Sequence, residues 1–493
     1  MLLQTNDFIC GRAPRDTRVL LVTPHYADRV SNVAQTTVGP PLGLAYMAAV
    51  LEQRGFVVSI LDANALGLSD QQTADAVARR TPHVVGFTAV TPTVDQCAHL
   101  AALVRKLLPG SLIVLGGVHP TVEPEDTLSR AACADLVVRG EADTRFAEIL
   151  EALGRGEALD ALEGVSFRDA GGAVKSTALS GRQEDLDALP EPARHLLPME
   201  RYVGPDGTRF TTMVGARGCP GRCTYCSVHQ AFGLRLRNRA PAKVVQEMSN
   251  CLADHGSRVF GFVDDTFTTN RKWVHELCEE MIRVGLHREV RWFCLTRVDR
   301  VDPELLALMK SAGCTKVEMG IESGDQGVLD SLGKGTTTAQ VVQAFGWARQ
   351  AGLETLAFIN LFSPEETPAS LKNTRALLFE ADPDLLQASF CTPYPGTELA
   401  RRCEEAGITA SADLSQYVFL TGPVMDHPRF TREQMLTYHK GLLRAFYFRP
   451  RTMARILRSA ARSGAWRGFA RAALAGSMSL LTGRSGSQGR SAG

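Results

Sequence analysis

Apolar runs of strand length alternate with helical stretches in two separate series along this 493-residue chain. Strands that are separated by helices pair in parallel, and a parallel sheet binds its ligands outside the carboxyl ends of its strands. The two series therefore predict an α/β chain with two sheet domains. We expect the residues that carry chemistry in the loops that follow the strands.

The first series predicts a doubly wound, Rossmann-like domain over residues 1–150. A helix that begins near Pro41 follows the first strand, and Gly55 lies beyond its end, at the positions that proline and glycine favour around helices. The predicted strands of this domain read RVLLVTP, VVSILDA, HVVGFTAV, SLIVLGG and ADLVVRGE.

The second series predicts an incomplete parallel (β/α)6 barrel over residues 205–405. Residues 151–204 contain short segments rich in proline and glycine, which predict a linker with a small hairpin. Residues 406–493 are predicted to form a helical C-terminal region with a basic tail. The predicted strands of the barrel read FTTMVGA, VFGFVDD, VRWFCLT, CTKVEMGIE, ETLAFINL and LLQASFCT.

Three cysteines, Cys219, Cys223 and Cys226, follow the first strand of the predicted barrel. A disulfide framework is not expected, because 12 cysteines are spread over 493 residues and the chain begins without a secretory pattern. We expect a cytoplasmic protein whose reduced thiols are free to bind metal. Three thiolates can hold a four-iron cluster and leave one iron open, and a zinc site completed by His229 is the alternative. The position after a buried barrel strand favours the cluster.

The pattern Cys-x-x-x-Cys-x-x-Cys, with Tyr225 before the last cysteine, resembles the signature of radical S-adenosylmethionine enzymes. Further similarity covers residues 205–405 and includes VDDTF after the second barrel strand, GIESG after the fourth and TPYPGTEL after the sixth. The resemblance implies that the open iron chelates S-adenosylmethionine, which is cleaved to a 5′-deoxyadenosyl radical after one-electron reduction. It also implies these roles: cluster ligands Cys219, Cys223 and Cys226, and S-adenosylmethionine contacts Tyr225, Asp264, Glu322 and Ser323.

Two segments of the barrel depart from simple motif matches. The fifth strand ends in FINLFSPEET, where Asn360 and Ser363 occupy positions at which the family often has glycine. The segment SLGKGTT resembles a phosphate-binding loop, but Val328 stands where the first glycine is required and Gly335 follows Lys334. A nucleotide-phosphate site is therefore not predicted there.

The N-terminal motifs PPLGLAYMAAVL, GGVHPT and RGEADT resemble, in that order, the cobalamin-binding domain that precedes the barrel in one branch of the same superfamily. Glycine loops at strand ends let the backbone approach a large planar ring, and threonine hydroxyls can bind its amides. The resemblance implies cobalamin contacts from Pro41, Leu42, Gly43, Thr88, Thr91, Gly116, Gly117, His119, Gly140 and Glu141.

Many cobalamin domains bind cobalt through the histidine of Asp-x-His-x-x-Gly, but none of the 11 histidines here has aspartate two residues before it. A cobalt without an imidazole beneath it suits methyl transfer. The leading prediction is therefore a cobalamin-dependent radical methyltransferase that acts on an unactivated carbon or phosphorus. Arginine outnumbers lysine 45 to 9, which points to a G+C-rich genome and so to a small-molecule substrate in natural-product biosynthesis.

Two alternatives keep parts of this interpretation. One is an oxidative cyclase of the anaerobic magnesium-protoporphyrin ester type, which shares both cofactors. The other is a cobalamin or redox sensor, which would have no need of a radical-generating barrel. Both the methyltransferase and the cyclase would need a one-electron reductant such as flavodoxin or ferredoxin. No nucleic-acid partner is expected.

Charge is distributed unevenly, although the net charge is only +1. Residues 434–493 contain 11 lysines and arginines and no acidic residue. Arg451, Arg455, Arg458 and Arg462 recur at helical spacing, which predicts an amphipathic helix with a cationic face. This helix is expected to pack on the barrel. The functional alternative is weak contact of its cationic face with an anionic membrane surface or an acidic partner, which would bring the enzyme to a lipid-like substrate.

Overall fold

The computed structural model of the protein describes residues 9–26, 39–204 and 206–463. The N-terminal sheet places five strands in parallel in the spatial order 2-1-3-4-5. In this order β2 lies on one side of β1 and β3 on the other, so the connections after β1 and after β2 run to opposite sides of the sheet. Ligands bind doubly wound sheets at such a switch point. The strands are β1 (Arg18–Thr23), β2 (Val57–Asp62), β3 (Val84–Thr88), β4 (Leu112–Gly116) and β5 (Leu136–Val138).

Helices cover both faces of this sheet, as its buried strands require. Its cores draw on α1 and α7 at one face and on α3, α4 and α6 at the other. Ser69 begins α3 with a reciprocal capping box to Gln72, which satisfies two backbone N–H groups at the helix start. The helices are α1 (Leu42–Gln53), α2 (Ala63–Leu66), α3 (Asp70–Arg80), α4 (Val94–Leu107), α5 (Val118–Val122), α6 (Pro124–Arg130) and α7 (Arg145–Gly154).

The hairpin expected within residues 151–204 consists of β6 (Val165–Arg168) and β7 (Val174–Ser176). Strand β6 pairs antiparallel with β5, so the hairpin extends the N-terminal sheet to seven strands. Val165 and Phe167 add their side chains to its core. This segment is therefore part of the N-terminal sheet rather than a free connection.

The second sheet contains six parallel strands in chain order, as the sequence predicts, with β8 and β15 at its two edges. Sequential parallel strands joined by helices form the partial barrel. Its strands are β8 (Phe210–Met213), β11 (Val259–Phe262), β12 (Arg291–Thr296), β13 (Cys314–Glu322), β14 (Glu354–Leu361) and β15 (Leu385–Phe390). A separate ribbon pairs β9 (Ala216–Arg217) with β10 (Arg237–Asn238).

Most of the barrel helices pack around one large apolar core. Thr337 and Thr367 begin two of them with capping boxes, which fixes where each helix starts. The helices are α8 (Val228–Ala231), α9 (Pro241–His255), α10 (Arg271–Arg283), α11 (Pro303–Ser311), α12 (Gln326–Ser331), α13 (Thr338–Gln350), α14 (Pro368–Ala381) and α15 (Glu398–Glu405). Of these, α12 and α15 pack instead in a smaller cluster with Cys391 and Met425.

The C-terminal region returns to both domains. Leu414, Tyr417 and Val424 pack into the N-terminal core, whereas α16 (Arg432–Tyr447) packs on the barrel through Met435, Leu442 and Phe446. The last described helix is α17 (Pro450–Ser463). None of the helices in the described ranges is long and apolar enough to cross a membrane.

Candidate active site between the two sheets

The cysteine loop, residues 218–236, leaves the barrel between β9 and β10, and their pairing fixes its two ends. Gly218 has φ +90°, and a Cβ there would lie 2.3 Å from the carbonyl oxygen of Arg235, so only glycine fits. The amide of Cys219 donates to Gly233 O at 3.2 Å, and the amide of Cys226 donates to Cys223 O at 3.2 Å. The loop therefore folds back on itself and gathers its cysteines at the carboxyl end of β8.

The three sulfurs share a partly buried environment. Cys219 Sγ lies 3.4 Å from Thr266 Oγ1, and Arg297 Nη1 donates toward Cys223 Sγ at 3.8 Å. Burial raises the pKa of Cys226 to about 12; a hydrogen bond from the Val228 amide lowers it in part, and the neighbouring charge of Cys223 adds to the rise. A thiolate is unfavourable here without a compensating cation, and bound iron supplies that charge. The donor set and its electrostatics fit an iron–sulfur cluster.

The zinc alternative finds less support. The ring nitrogen Nε2 of His229 is engaged by the carbonyl oxygen of Gly221. Within the described parts of the chain, no group of three or more His, Cys, Asp or Glu side chains is gathered as a single metal ion requires. A cluster differs from a single ion because each thiolate binds its own iron.

Asp264 and Asp265 follow β11 and brace the start of the cysteine loop. Asp264 Oδ1 accepts the Gly215 amide at 2.7 Å, while its buried Oδ2 has no hydrogen-bond partner among the described residues. Burial raises the pKa of Asp264 to about 7 and that of Asp265 to about 6. Asp264 thus holds the backbone just before the cysteine loop through Oδ1, and its unpaired Oδ2 is suited to a ligand.

Glu322 ends β13 in the left-handed region, with φ +62°, which is uncommon outside glycine. Its Oε1 pairs with Lys334 Nζ at 2.7 Å. Burial, followed by the charge of this carboxylate, raises the pKa of Tyr225. A Cβ on Gly320 would lie 2.2 Å from Glu322 Oε1, so glycine makes room for this carboxylate. Ser323 is fully buried, and its hydroxyl lies 3.2 Å from Thr374 Oγ1.

The predicted cobalamin contacts lie in three loops at the carboxyl edge of the N-terminal sheet and at the start of α1. Thr88 ends β3 and Gly116 ends β4. The loops after these strands approach closely at Gly117, where a Cβ would lie 2.4 Å from Ala89 O, so glycine permits the contact. The buried Thr23 hydroxyl at the end of β1 has no partner within the described ranges. Glycine backbone and an orphaned hydroxyl at the switch point fit a large ligand with amide groups.

The positions of the individual predicted contacts differ. His119 is 2% exposed, lies 3.3 Å from both Thr91 Oγ1 and Asp126 Oδ2, and burial lowers its pKa. Its ring is therefore held inside the domain in the neutral form. At the start of α1, Pro41 precedes the buried Leu42 and the exposed Gly43.

Gly140 and Glu141 lie at the junction with the barrel. The amide of Gly140 donates to Thr121 Oγ1 at 2.9 Å. Glu141 is instead taken up by two barrel arginines, with Arg237 Nη2 at 2.6 Å and Arg217 Nη1 at 3.2 Å from its carboxylate. Its side chain is 2% exposed, so this carboxylate holds the two domains together.

The two predicted cofactor regions face each other. Helix α5, which begins just after Gly117, packs against α8, which begins just after Cys226. Sequence reasoning did not single out three residues: Arg217, which lies between the domains, Arg297, which lies at the cysteines, and Lys334 as the partner of Glu322. Arg297 directly follows a predicted strand, and a position at the carboxyl end of a strand is the sequence signal that could have indicated its role.

Sequence models identify both domains. A B12 binding domain matches residues 30–150, and the radical SAM superfamily matches residues 213–378. The chain is 32% identical to an uncharacterised methyltransferase, PH0819, of Pyrococcus horikoshii, across 88% of this chain and 94% of that protein. The chain belongs to the family of cobalamin-binding radical S-adenosylmethionine enzymes.

Two further comparisons agree with this family. The chain is 31% identical to the anaerobic magnesium-protoporphyrin IX monomethyl ester cyclase of Cereibacter sphaeroides, over 88% of this chain and 70% of the cyclase. The fold is similar to that of the radical S-adenosylmethionine methyltransferase TsrM of Kitasatospora setae, solved with cobalamin and a [4Fe-4S] cluster, with TM-score 0.68 and 19% identity over 81% of this chain and 84% of that one. The cofactors of this enzyme are thus a [4Fe-4S] cluster, S-adenosylmethionine and cobalamin.

Proposed function

We propose that this enzyme transfers a methyl group to an unactivated carbon, or to phosphorus, of a small natural-product or lipid-like substrate. The observation that carries the proposal is the packing of α5 on α8, which sets the loop after Gly117 beside the loop of Cys226. A methyl carrier and a radical source must act on one substrate, so the two cofactor loops must open on a common space.

The bound cofactors supply the hard chemistry, namely hydrogen abstraction by the 5′-deoxyadenosyl radical and methyl donation from cobalamin. The chain's residues hold and orient them. Cys219, Cys223 and Cys226 would hold the cluster, and the corrin would be held by the end of β1, the start of α1 and the loops after β3 and β4. Tyr225, Asp264, Glu322 and Ser323 are assigned to S-adenosylmethionine.

Cyclisation is the second candidate, because the cyclase relative is 31% identical. The chain covers 94% of the methyltransferase relative but 70% of the cyclase, and this favours methyl transfer. Turnover with candidate substrates, followed by mass spectrometry, separates the two. A gain of one methylene per substrate marks methylation, whereas oxidation with ring closure and no added carbon contradicts it. Absence of 5′-deoxyadenosine in every assay would favour the sensor.

The cluster assignment is tested by iron and sulfide analysis after anaerobic reconstitution. The wild type is expected to hold about four irons and four sulfides, and the Cys219→Ala/Cys223→Ala/Cys226→Ala variant none. The control variants carry Cys251→Ala, Cys278→Ala or Cys314→Ala, whose thiols are buried in the barrel core. A triple variant that retains a full cluster contradicts the assignment.

The cobalt environment is tested by electron paramagnetic resonance of the cobalt(II) full-length protein. We expect no nitrogen splitting from a histidine, because His119 is held by Thr91 and Asp126 and no Asp-x-His-x-x-Gly motif is present in the sequence. Splitting that disappears in His119→Ala would contradict this expectation.

The remaining proposals concern the cell. We place the enzyme in the cytoplasm, reduced by a flavodoxin or a ferredoxin, with no nucleic-acid partner. Part of the predicted cationic face has a structural role, since Arg455 Nη2 pairs with Asp382 Oδ2 at 2.6 Å. Arg451 and Arg458 are exposed beside Met453, which is 45% exposed, and Arg462 lies outside the described side chains.

Membrane contact through this region is tested by sedimentation with anionic and neutral vesicles. Full-length protein and a chain ending at Arg449 are compared at moderate salt, where each basic residue near an anionic surface contributes about 1 kcal/mol. Stronger pelleting of the full-length protein with anionic vesicles alone supports contact. Equal pelleting of both proteins leaves the helix a structural role only.

A further inference from the structure

Arg297 lies against the cysteine loop, although no motif identifies it. It directly follows β12, and its Nη1 donates toward Cys223 Sγ at 3.8 Å. A Cβ on Gly221 would lie 3.4 Å from the same nitrogen and 3.4 Å from Cys219 Sγ. The guanidinium therefore approaches the loop where two of the cysteines meet, and Gly221 leaves room for it.

Three acceptors fix the orientation of this guanidinium. Nε donates to Asp299 Oδ1 at 2.8 Å, Nη2 donates to Asp299 Oδ2 at 3.3 Å, and Nη2 also donates to the carbonyl oxygen of Lys334 at 2.5 Å. The side chain is 12% exposed. A planar guanidinium held on two sides presents its remaining edge in one direction, and that edge faces Cys223.

The segment that supplies the Lys334 carbonyl also supports the cysteine loop. The amide of Thr224 donates to Leu332 O at 2.9 Å. Gly333 has φ +63°, and a Cβ there would lie 2.7 Å from Arg222 O. The glycines of SLGKG thus allow a close backbone contact instead of binding phosphate, and Arg297 links this contact to a cluster ligand.

We propose that Arg297 is a positioning residue that raises the reduction potential of the iron–sulfur cluster through its N–H contact with Cys223. One-electron reduction adds negative charge to the cluster, and a nearby cation that donates a hydrogen bond to a sulfur ligand stabilises the reduced form. The proposal rests on the assignment of Cys219, Cys223 and Cys226 as cluster ligands.

Asp299 provides a charge of opposite sign at the same place. Its carboxylate is 15% exposed and neutralises part of the Arg297 charge. Removing the carboxylate charge exposes the cluster to more of the guanidinium charge, so Asp299→Asn is expected to shift the potential upward. Arg297→Gln is expected to shift it downward. If Arg297 and Asp299 had only a structural role, the two substitutions would not shift the reduction potential in opposite directions.

The test is a redox titration of reconstituted, cobalamin-loaded full-length protein without S-adenosylmethionine, followed by electron paramagnetic resonance of the reduced cluster. Wild type, Arg297→Gln, Arg297→Lys and Asp299→Asn are compared. The matched control is Arg300→Gln, which removes the same charge from a side chain that is 46% exposed and contacts Asp299 at 3.6 Å. Iron and sulfide contents are measured for every sample.

The expected order of midpoint potentials is Asp299→Asn above wild type, Arg297→Lys between wild type and Arg297→Gln, and Arg300→Gln close to wild type. Unchanged potentials in Arg297→Gln and Asp299→Asn, with full iron content, would overturn the proposal. If Arg297→Gln loses its iron, Asp299→Asn decides: an upward shift supports the role and an unchanged potential overturns it. A wild type without iron would instead overturn the cluster assignment itself.

Discussion

Two seams between the N-terminal domain and the rest of the chain differ in their chemistry. The charged seam joins Glu141 and Asp143, after β5, to Arg217 and Arg237, at the base of the cysteine loop. Arg217 contacts both oxygens of Asp143, at 2.6 Å and 3.0 Å, and all four side chains are at most 8% exposed. Paired charges of this kind fix an orientation, because their hydrogen bonds are directional.

The apolar seam is formed by the C-terminal segment of residues 414–424. Leu414, Tyr417 and Val424 pack into the core of the N-terminal sheet, while Phe419 O accepts the amide of Phe390 at the end of β15. Burial of apolar surface is not directional, so this seam contributes adhesion more than geometry. Because only the charged seam is directional, we assign the alignment of the cofactor loops to the charged seam and most of the cohesion between the domains to the apolar seam.

The largest effect is expected from Arg217→Met. Asp143 would be left buried without its cation, and loss of one partner of a buried ion pair costs about 3–5 kcal/mol of unfolding free energy. Because Arg217 lies two residues before Cys219, cluster content should fall as well. Chemical denaturation and iron analysis measure both changes.

Two further variants sharpen this test. Adding Asp143→Asn to Arg217→Met removes the unpaired charge and should recover part of the stability. Arg54→Met is the control, because Arg54 pairs with Glu151 at 3.0 Å but is 42% exposed, and such pairs contribute about 0–1 kcal/mol. Equal losses in Arg54→Met and Arg217→Met would show that burial of the charged seam adds nothing.

A smaller loss is expected from Leu414→Ala in the apolar seam. Truncation of a buried leucine costs about 2–5 kcal/mol, and Leu414, which is 7% exposed, loses contacts with the N-terminal core. Because alignment is assigned to the charged seam, the iron content should stay unchanged while unfolding shifts to lower denaturant. Leu179→Ala, at a side chain that is 41% exposed, is the control. Loss of cluster in Leu414→Ala would contradict the division between the seams.

The sequence predicts the strands of both parallel sheets well, because buried parallel strands read as short apolar runs between helices. It also predicts that the three cysteines are gathered, since they lie within eight residues after one strand. The fold of the chain follows from such local patterns. Contacts between distant residues do not, and the pairing of β6 with β5 is one example.

The seams show the same limit at the level of side chains. Glu141 and Arg217 are 76 residues apart, and Leu414 lies far from the N-terminal core in sequence, so no periodicity links them. The resemblance of RGEADT to a cobalamin-binding motif predicts a cobalamin contact from Glu141, whereas its partners in the structure are arginines of the barrel. A partner across a domain junction depends on tertiary packing, which a local pattern does not encode.

The smallest effect is expected outside the two seams, from Tyr202→Phe, which removes a buried polar contact with Asp62 at the end of β2. Tyr202 donates to Asp62 Oδ2 at 2.8 Å, and both side chains are at most 2% exposed. Burial raises the pKa of Asp62 above its usual 3.8, and the Tyr202 hydrogen bond lowers it in part. Loss of the hydroxyl should therefore raise the Asp62 pKa further and cost about 1–2 kcal/mol.

This cost should grow with pH. An acid whose pKa is higher in the folded state keeps its proton when the unfolded chain has lost it, so its contribution to stability falls as pH rises above 3.8. In Tyr202→Phe this fall extends to higher pH, because the ionised carboxylate has lost a donor. Tyr438→Phe is the matched control, since Tyr438 donates at 2.6 Å to the carbonyl oxygen of Leu371, which does not titrate. The free energy of unfolding is measured between pH 5 and pH 8. The loss in Tyr202→Phe should grow with pH, whereas the loss in Tyr438→Phe should stay constant. Equal pH dependence of the two losses would mean that Asp62 does not titrate at this contact.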